Sequence, residues 1–353
     1  MESGVKTNGS QVQEVVMQSK YIDEQGNVLA LNEERFNNTA CEAPRYKNKP
    51  NGLGIYNFLK SHVLRMTPKR WRIAQWLYHT FMKYSHWLKE NGWKGDLYRR
   101  FIMLHPVKKR NTGTVIMPLN VDITDSSAKT MVPMDVLKET IRKAEFIAGM
   151  DHCLCRVSND CKEYPHDLGC LFFSDLGKVA VKNGLARQFT VEEAFARVDK
   201  AAELGIMAEG VWLEFEQLLW GVRNDQMDGF FEVCFCCPCC CIARRLAPNL
   251  SADDKTLYHT AGWTAVPDRT KCVGCGKCVA EGVVCLTDAI SMGEDGKVVV
   301  NHDLCVGCGM CVTACNLGVL KLKQTMPMRE NLQEYFDKEL NIKLRIVDQE
   351  REA

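Results

Sequence analysis

The sequence predicts an α+β protein: a helix-rich N-terminal and central region threaded with cysteine-rich loops, followed by a small duplicated α+β module. Three observations carry this. Apolar residues recur at helical spacing over much of the first two thirds of the chain. Eighteen of the 19 cysteines crowd between Cys153 and Cys315. The pattern Cys272-Val-Gly-Cys275-Gly-Lys-Cys278-Val returns 33 residues later as Cys305-Val-Gly-Cys308-Gly-Met-Cys311-Val. Composition then divides the chain into a polar, partly disordered arm at 1–50, a basic aromatic helical region at 51–113 and a cysteine-rich α/β region at 114–262. The duplicated module covers 263–325 and a charged helical tail 326–353.

The 353 residues suffice for two or three compact domains. A net charge of +1 gives no global bias toward nucleic acid or a membrane surface. The first 20 residues are polar and lack the apolar stretch of a signal peptide. No run approaches the roughly 20 apolar residues that cross a bilayer. The paired arginines Arg99-Arg100 and Arg244-Arg245 lie too far in to be export signals. The expected compartment is a reducing cytoplasm, where clustered thiols are metal ligands rather than disulfides.

Within the arm, Gly26-Asn27 marks a short strand pair, and Cys41 stands alone as an incidental thiol. Residues 52–105 read as helical. Thr67 caps and Pro68 fits the first helical position. Ile73, Leu77, Phe81, Tyr84 and Leu88 then share one face, and Asn91-Gly92 is the stop. A second helix runs from Asp96 to before Pro106. Residues 114–123 read as a strand. Pro133 opens a helix that buries Val136, Leu137, Ile141, Ala144 and Ile147 and ends at Gly149. Thr190 and Glu193 form a capping box for a helix carrying Ala194, Val198 and Ala201 and stopping at Gly205. Asn331 to Leu340 reads as one amphipathic helix.

A cubane cluster needs four thiolates converging on one small object. A C-x2-C-x2-C loop wraps three of them round one corner, and its inward turns favour glycine, here Gly274, Gly276, Gly307 and Gly309. Residues 268–322 resemble the bacterial two-[4Fe–4S] ferredoxin family, in which the fourth ligand of each cluster comes from the opposite repeat. The resemblance implies one cluster on Cys272, Cys275, Cys278 and Cys315 and another on Cys305, Cys308, Cys311 and Cys285. It also implies a ferredoxin-like fold for this module. The chain departs from the family twice. Six residues rather than three separate Cys278 from Cys285, with Glu281-Gly282-Val283 as an outward bulge, and Leu286 and Asn316 replace the proline after each fourth cysteine.

Ten cysteines lie upstream: Cys153, Cys155, Cys161 and Cys170, then Cys234, Cys236, Cys237, Cys239, Cys240 and Cys241. Zinc, which favours C-x2–4-C pairs, one or two further iron–sulfur clusters, and a redox-active thiol set all remain open on spacing alone. The order of these motifs ahead of a two-cluster module resembles multi-cluster 4Fe–4S ferredoxin-type proteins of anaerobic bacteria and archaea. The family's cysteines correspond to Cys234, Cys236, Cys237, Cys240 and Cys241, with Cys239 as an addition.

His152 and His166 read as polar loop residues. Arg156, beside Cys155, is either a surface arginine or a counter-charge to a cluster. Lys277 follows a glycine, but Lys271 occupies the place of the glycine a phosphate loop requires. No G-x-G-x-x-G opens a helix, so no flavin or nicotinamide site is expected. Residues 58–110 carry 13 Lys and Arg against Glu90 and Asp96, interleaved with Trp71, Trp76, Trp87 and Trp93. This segment reads as a solvated basic face or a dock for an acidic redox partner; nucleic acid is not expected. The expected function is relay of single electrons to a partner. An oxidoreductase with its own cluster among Cys153–Cys241 is the alternative. A redox or oxygen sensor is a third, for which no DNA-reading helix is evident.

Overall fold

Met207–Leu213 and Phe231–Cys236 are apolar runs broken by one glutamate each, a composition suited to strands covered on both faces. The computed structural model describes residues 21–32, 58, 62–63, 65–89, 92–103, 112–120, 132–280, 285–340 and 342–347. Among them, seven strands form one sheet: β1 (Thr112–Met117), β2 (Ile147–Met150), β3 (Leu171–Phe173), β4 (Ala186–Gln188), β5 (Met207–Leu213), β6 (Phe231–Cys236) and β7 (Tyr258–Thr260). Their spatial order is β4-β2-β3-β6-β5-β1-β7. Neighbours are antiparallel except β1 and β7, which run parallel.

The register gives the sheet two unlike faces. Cys236 pairs with Met207, Cys234 with Glu209 and Glu232 with Val211. Side chains alternate along a strand, so Glu232, Cys234, Cys236 and Glu209 share one face. Phe231, Val233 and Phe235 occupy the other and enter the main hydrophobic core with Ala208.

Helices cover the sheet. Helix α1 (Trp71–Tyr84) follows a single 3₁₀ turn begun at Pro68, with Thr67 at the N-cap position but making no side-chain cap bond. Its buried residues are Ala74 and Tyr78, while Ile73 and Leu77 are exposed, so the inward face is rotated from the one read off the apolar spacing. Tyr78 decides this: its hydroxyl donates to the Cys240 carbonyl at 2.9 Å. Tight 3₁₀ turns continue over Ser85–Lys89, and α2 (Trp93–Met103) begins before Asp96.

The helix opened by Pro133, α3 (Pro133–Lys143), buries Val136, Leu137 and Ile141 as its spacing predicts but ends at Lys143. Ala144 turns extended, and Ile147 and Gly149 belong to β2. The apolar spacing runs on across a helix–strand junction. Gly149 is needed because a Cβ there would meet the Phe189 ring at 2.3 Å. Beyond the short α4 (Leu154–Ser158) and a helix over Ser174–Lys182 lies α5 (Val191–Glu203), whose capping box forms in both directions, with Ala194, Val198 and Ala201 buried. The turn after β6 leads into α6 (Ile242–Leu246).

The C-terminal module is built from β8 (Trp263–Pro267) paired antiparallel with β11 (Leu320–Gln324), and β9 (Ile290–Met292) paired with β10 (Val298–Val300). Each cysteine loop runs into a short helical turn, Lys277–Val279 in the first repeat and Met310–Ala314 in the second. Arm residues 21–32 pair Ile22 with Val28 and rest on this module, with the Arg269 amide donating to the Glu24 carbonyl and the Asn32 amide to Thr325. Cys41, the 281–284 insertion and residues 121–131 lie outside the described residues.

The tail departs from the single helix read from sequence. Leu332–Glu334 forms one α-turn and Tyr335–Glu339 a π-turn. Leu332, Phe336, Leu340 and Ile346 are buried in the main core, so this segment closes the sheet's apolar face rather than trailing from it.

Candidate metal centres

In the C-terminal module, Cys272, Cys275, Cys278 and Cys315 line one small cavity. Cys305, Cys308 and Cys311 gather with Cys285, whose charges bear on one another. Each set therefore joins three cysteines of one loop to the last cysteine of the other repeat. Gly274, Gly276, Gly307 and Gly309 all have φ between +69° and +80°, which turns the loop amides inward. The Val298 amide donates to Cys272 Sγ at 3.3 Å, Ala265 to Cys305 at 3.4 Å and Ala289 to Cys285 at 3.2 Å. Converging thiols that accept backbone N–H bonds suit cluster-bound thiolate sulfur.

A second site lies on the polar face of the sheet. A cavity of about 230 Å³ is lined by seven cysteines, Cys153, Cys155, Cys170, Cys234, Cys236, Cys237 and Cys241. Cys153 caps α4, Cys155 lies within it, and Cys170 immediately precedes β3. Cys234 and Cys236 project from β6 at the strand period. Cys170 Sγ is 3.1 Å from Cys234 Sγ. Three glutamates join them. Cys236 Sγ donates to Glu209 at 3.3 Å and Cys234 Sγ to Glu232 at 3.3 Å, and the charges of Glu216 and Glu232 bear on one another. Burial pushes the Glu209 carboxyl up to about 8, and raises Glu232 and, with the charge of Glu232, Glu216. The Cys153 thiol is pulled down to about 6, first by its hydrogen bond with Cys155, with Arg156 adding to the effect.

Two buried arginines offset this negative potential. Arg156 is fully buried, so it is not the surface residue the sequence allowed; it donates to the Phe235 carbonyl at 3.0 Å and to the Leu168 carbonyl. Arg244 is 2% exposed, and its Nε and Nη1 have no hydrogen-bond partner among the described residues. Orphaned buried N–H groups are costly and fit a site whose acceptors would be cluster sulfides. Arg244 acts on Cys241 and Glu209 of the cavity and on Cys308 of the module. Cys308 packs against the same buried cluster as Cys236 and Cys241.

Cys161, Cys239 and Cys240 form a third group together with Cys237, which lines the cavity as well. Cys239, set aside on family spacing, is brought in with the rest. His166 Nε2 donates to the Cys161 carbonyl at 3.0 Å, a loop contact, and His152 is exposed. The glutamates escaped sequence reading because β5 and β6 themselves were not anticipated; a lone acid in an apolar run is the signal that marks them.

The family model of the 4Fe–4S dicluster domain matches residues 271–319. The chain thus carries an iron–sulfur electron-transfer module at its C-terminal end, preceded by cysteine groups arranged to hold metal. Neither a curated protein nor a solved structure matches the chain. Among the described residues no helix is long and apolar enough to cross a membrane.

Proposed function

We propose that this chain relays single electrons between a partner docked on α1 and the dicluster module, through a third iron–sulfur cluster held in the central cavity. The observation that carries it is the continuity of buried contacts: Cys308 packs in one cluster with Cys236 and Cys241, and the charge of Arg244 bears on both Cys308 and Cys241. Clusters supply reversible one-electron chemistry. The chain supplies the rest. Cys278 and Cys311 bring the two module sites within each other's field. Tyr78 and Phe81 of α1 line the cavity on its other side. Trp76 and Trp93 are 62% and 73% exposed, and Lys69, Arg72 and Lys83 of the same segment are exposed as well. An exposed aromatic and basic segment suits brief, salt-sensitive contact with an acidic redox protein.

The test is metal analysis and EPR on anaerobically isolated protein. Three clusters require about 12 irons in cubanes, with matching acid-labile sulfide, and spin–spin coupling between the central cluster and its neighbour. Eight irons or fewer, with no coupled signal, would remove the central relay.

The cavity also favours a second reading, an oxidoreductase with its own active-site cluster. It offers seven thiols where a cubane takes four, with the Glu232 and Glu216 carboxyls beside them. A cluster signal that shifts on adding cyanide would support this reading; insensitivity would leave the relay alone.

A further inference from the structure

The ten upstream cysteines divide six and four. Six line the cavity alone; the other four gather at the turn after β6, with Cys237 facing the cavity as well. The Sγ atoms of Cys161, Cys237, Cys239 and Cys240 are all within 4.8 Å of one another. The separations are 3.5 Å for Cys239–Cys240, 3.6 Å for Cys161–Cys239 and 3.8 Å for Cys237–Cys239. Four thiolates around a single ion, at metal–sulfur distances of about 2.3 Å, form a tetrahedron with edges of about 3.8 Å. A cubane instead places each thiolate on its own iron at a separate corner, which spreads the sulfurs further. The observed spacing is that of one ion.

We infer that Cys161, Cys237, Cys239 and Cys240 form a tetrathiolate site for one metal ion, zinc or iron, distinct from the cluster sites. The local backbone is built for it. Pro238 sits between Cys237 and Cys239 in a tight turn, which brings three thiols to one side within four residues. The fourth comes from a separate loop. Asp160 adopts φ +46° just before Cys161, and the Cys161 amide donates to the Arg156 carbonyl at 3.0 Å, aiming the loop at the turn. Cys161, Cys237 and Cys240 are buried, with Tyr164 packed on them, while Cys239 is exposed and closes the outer side. Four thiolates around a divalent ion leave a net negative charge. The fully buried Arg156 guanidinium, on which the charge of Cys237 bears, supplies the opposite sign.

Such an ion is a cross-link. It ties the loop after α4, the helix that starts at Cys153 and contains Cys155, to the turn after β6, which leads into Cys241. It would therefore hold the cavity wall in shape without being part of the relay. Six cavity thiols remain, enough for one cubane.

The experiment measures zinc, iron and acid-labile sulfide in the full-length parent, in Cys239→Ser and in Cys161→Ser, all prepared anaerobically. Cys239→Ser is chosen because the residue is exposed and tolerates exchange. The expected result is loss or weakening of one metal equivalent in each variant, with sulfide and the cluster EPR signals unchanged; the signals also report that the fold is intact. Whether the missing equivalent is zinc or iron names the resident ion. X-ray absorption at that metal's edge should show sulfur neighbours at about 2.3 Å and no metal–metal scattering. Iron and sulfide falling together by a whole cluster, or no change in any metal, would overturn the assignment.

Discussion

The Cα of Gly307 faces the Trp263 carbonyl so closely that a Cβ would lie 2.1 Å from its oxygen. Gly276, the first repeat's counterpart of Gly309, has φ +71° but open space around it. The two glycines separate backbone strain from steric exclusion. Gly276→Ala should cost about 1–2 kcal/mol, the left-handed penalty alone. Gly307→Ala adds a clash with backbone that cannot yield, and should be clearly more destabilising, with iron lost from the module. Thermal melting and iron retention of both variants check this; equal effects would show that φ alone governs.

Cross-ligation gives a second expectation. Cys315→Ser should impair the site of Cys272, Cys275 and Cys278, with which it shares a cavity. Cys285→Ser should impair the site of Cys305, Cys308 and Cys311. Iron-cluster EPR of the two variants should show complementary losses. If each mutation instead removes the signal of its own repeat, the paired arrangement is wrong.

Glu209 provides a pH signature. Its carboxyl is raised from 4.5 to about 8 by burial, so the folded chain keeps a proton that the unfolded chain has released. The sign follows: between about pH 4.5 and 8 this group makes the fold less stable as pH rises, and below 4.5 the effect is absent. Infrared difference spectra should show a protonated carboxyl band lost with a midpoint near 8, absent in Glu209→Gln. A band titrating in the ordinary carboxylate range would show that the cavity is wet.

The docking face is tested by charge. Arg70 belongs to the frame, since its guanidinium donates to the Val63 and Arg65 carbonyls. Lys69, Arg72 and Lys83 are exposed. Their triple reversal to Glu should slow electron exchange with a small acidic redox protein at low salt, by tenfold or more given the usual steering gains of about 10–10³, and leave cluster spectra unaltered. A parent rate that does not vary with ionic strength would make the face an ordinary solvated surface.

The local chemistry of this chain was legible because it is encoded at short range. A C-x2-C-x2-C loop with glycines at its turns needs nothing from the rest of the protein to declare itself, and the matched residues 271–319 lie within the repeat read from spacing. The capping box of Thr190 and Glu193 is equally local, and it formed as written. The inner face of α3 followed from its own periodicity, but its end did not, because the same apolar spacing served a helix and then a strand.

What tertiary structure decided are the pairings between distant segments. Cys234 and Glu209 meet only because β6 lies beside β5 in a particular register; a shift of one residue would send the thiol into the phenylalanine core. Arg156 could be read as surface or counter-charge until the chain packed around it. Cys239 joined Cys161 across 78 residues, a contact that no motif spacing reports. Spacing along the chain specifies which thiols a single loop can offer. Which loops share a metal is set by strand order and packing, and these depend on contacts summed over the whole core.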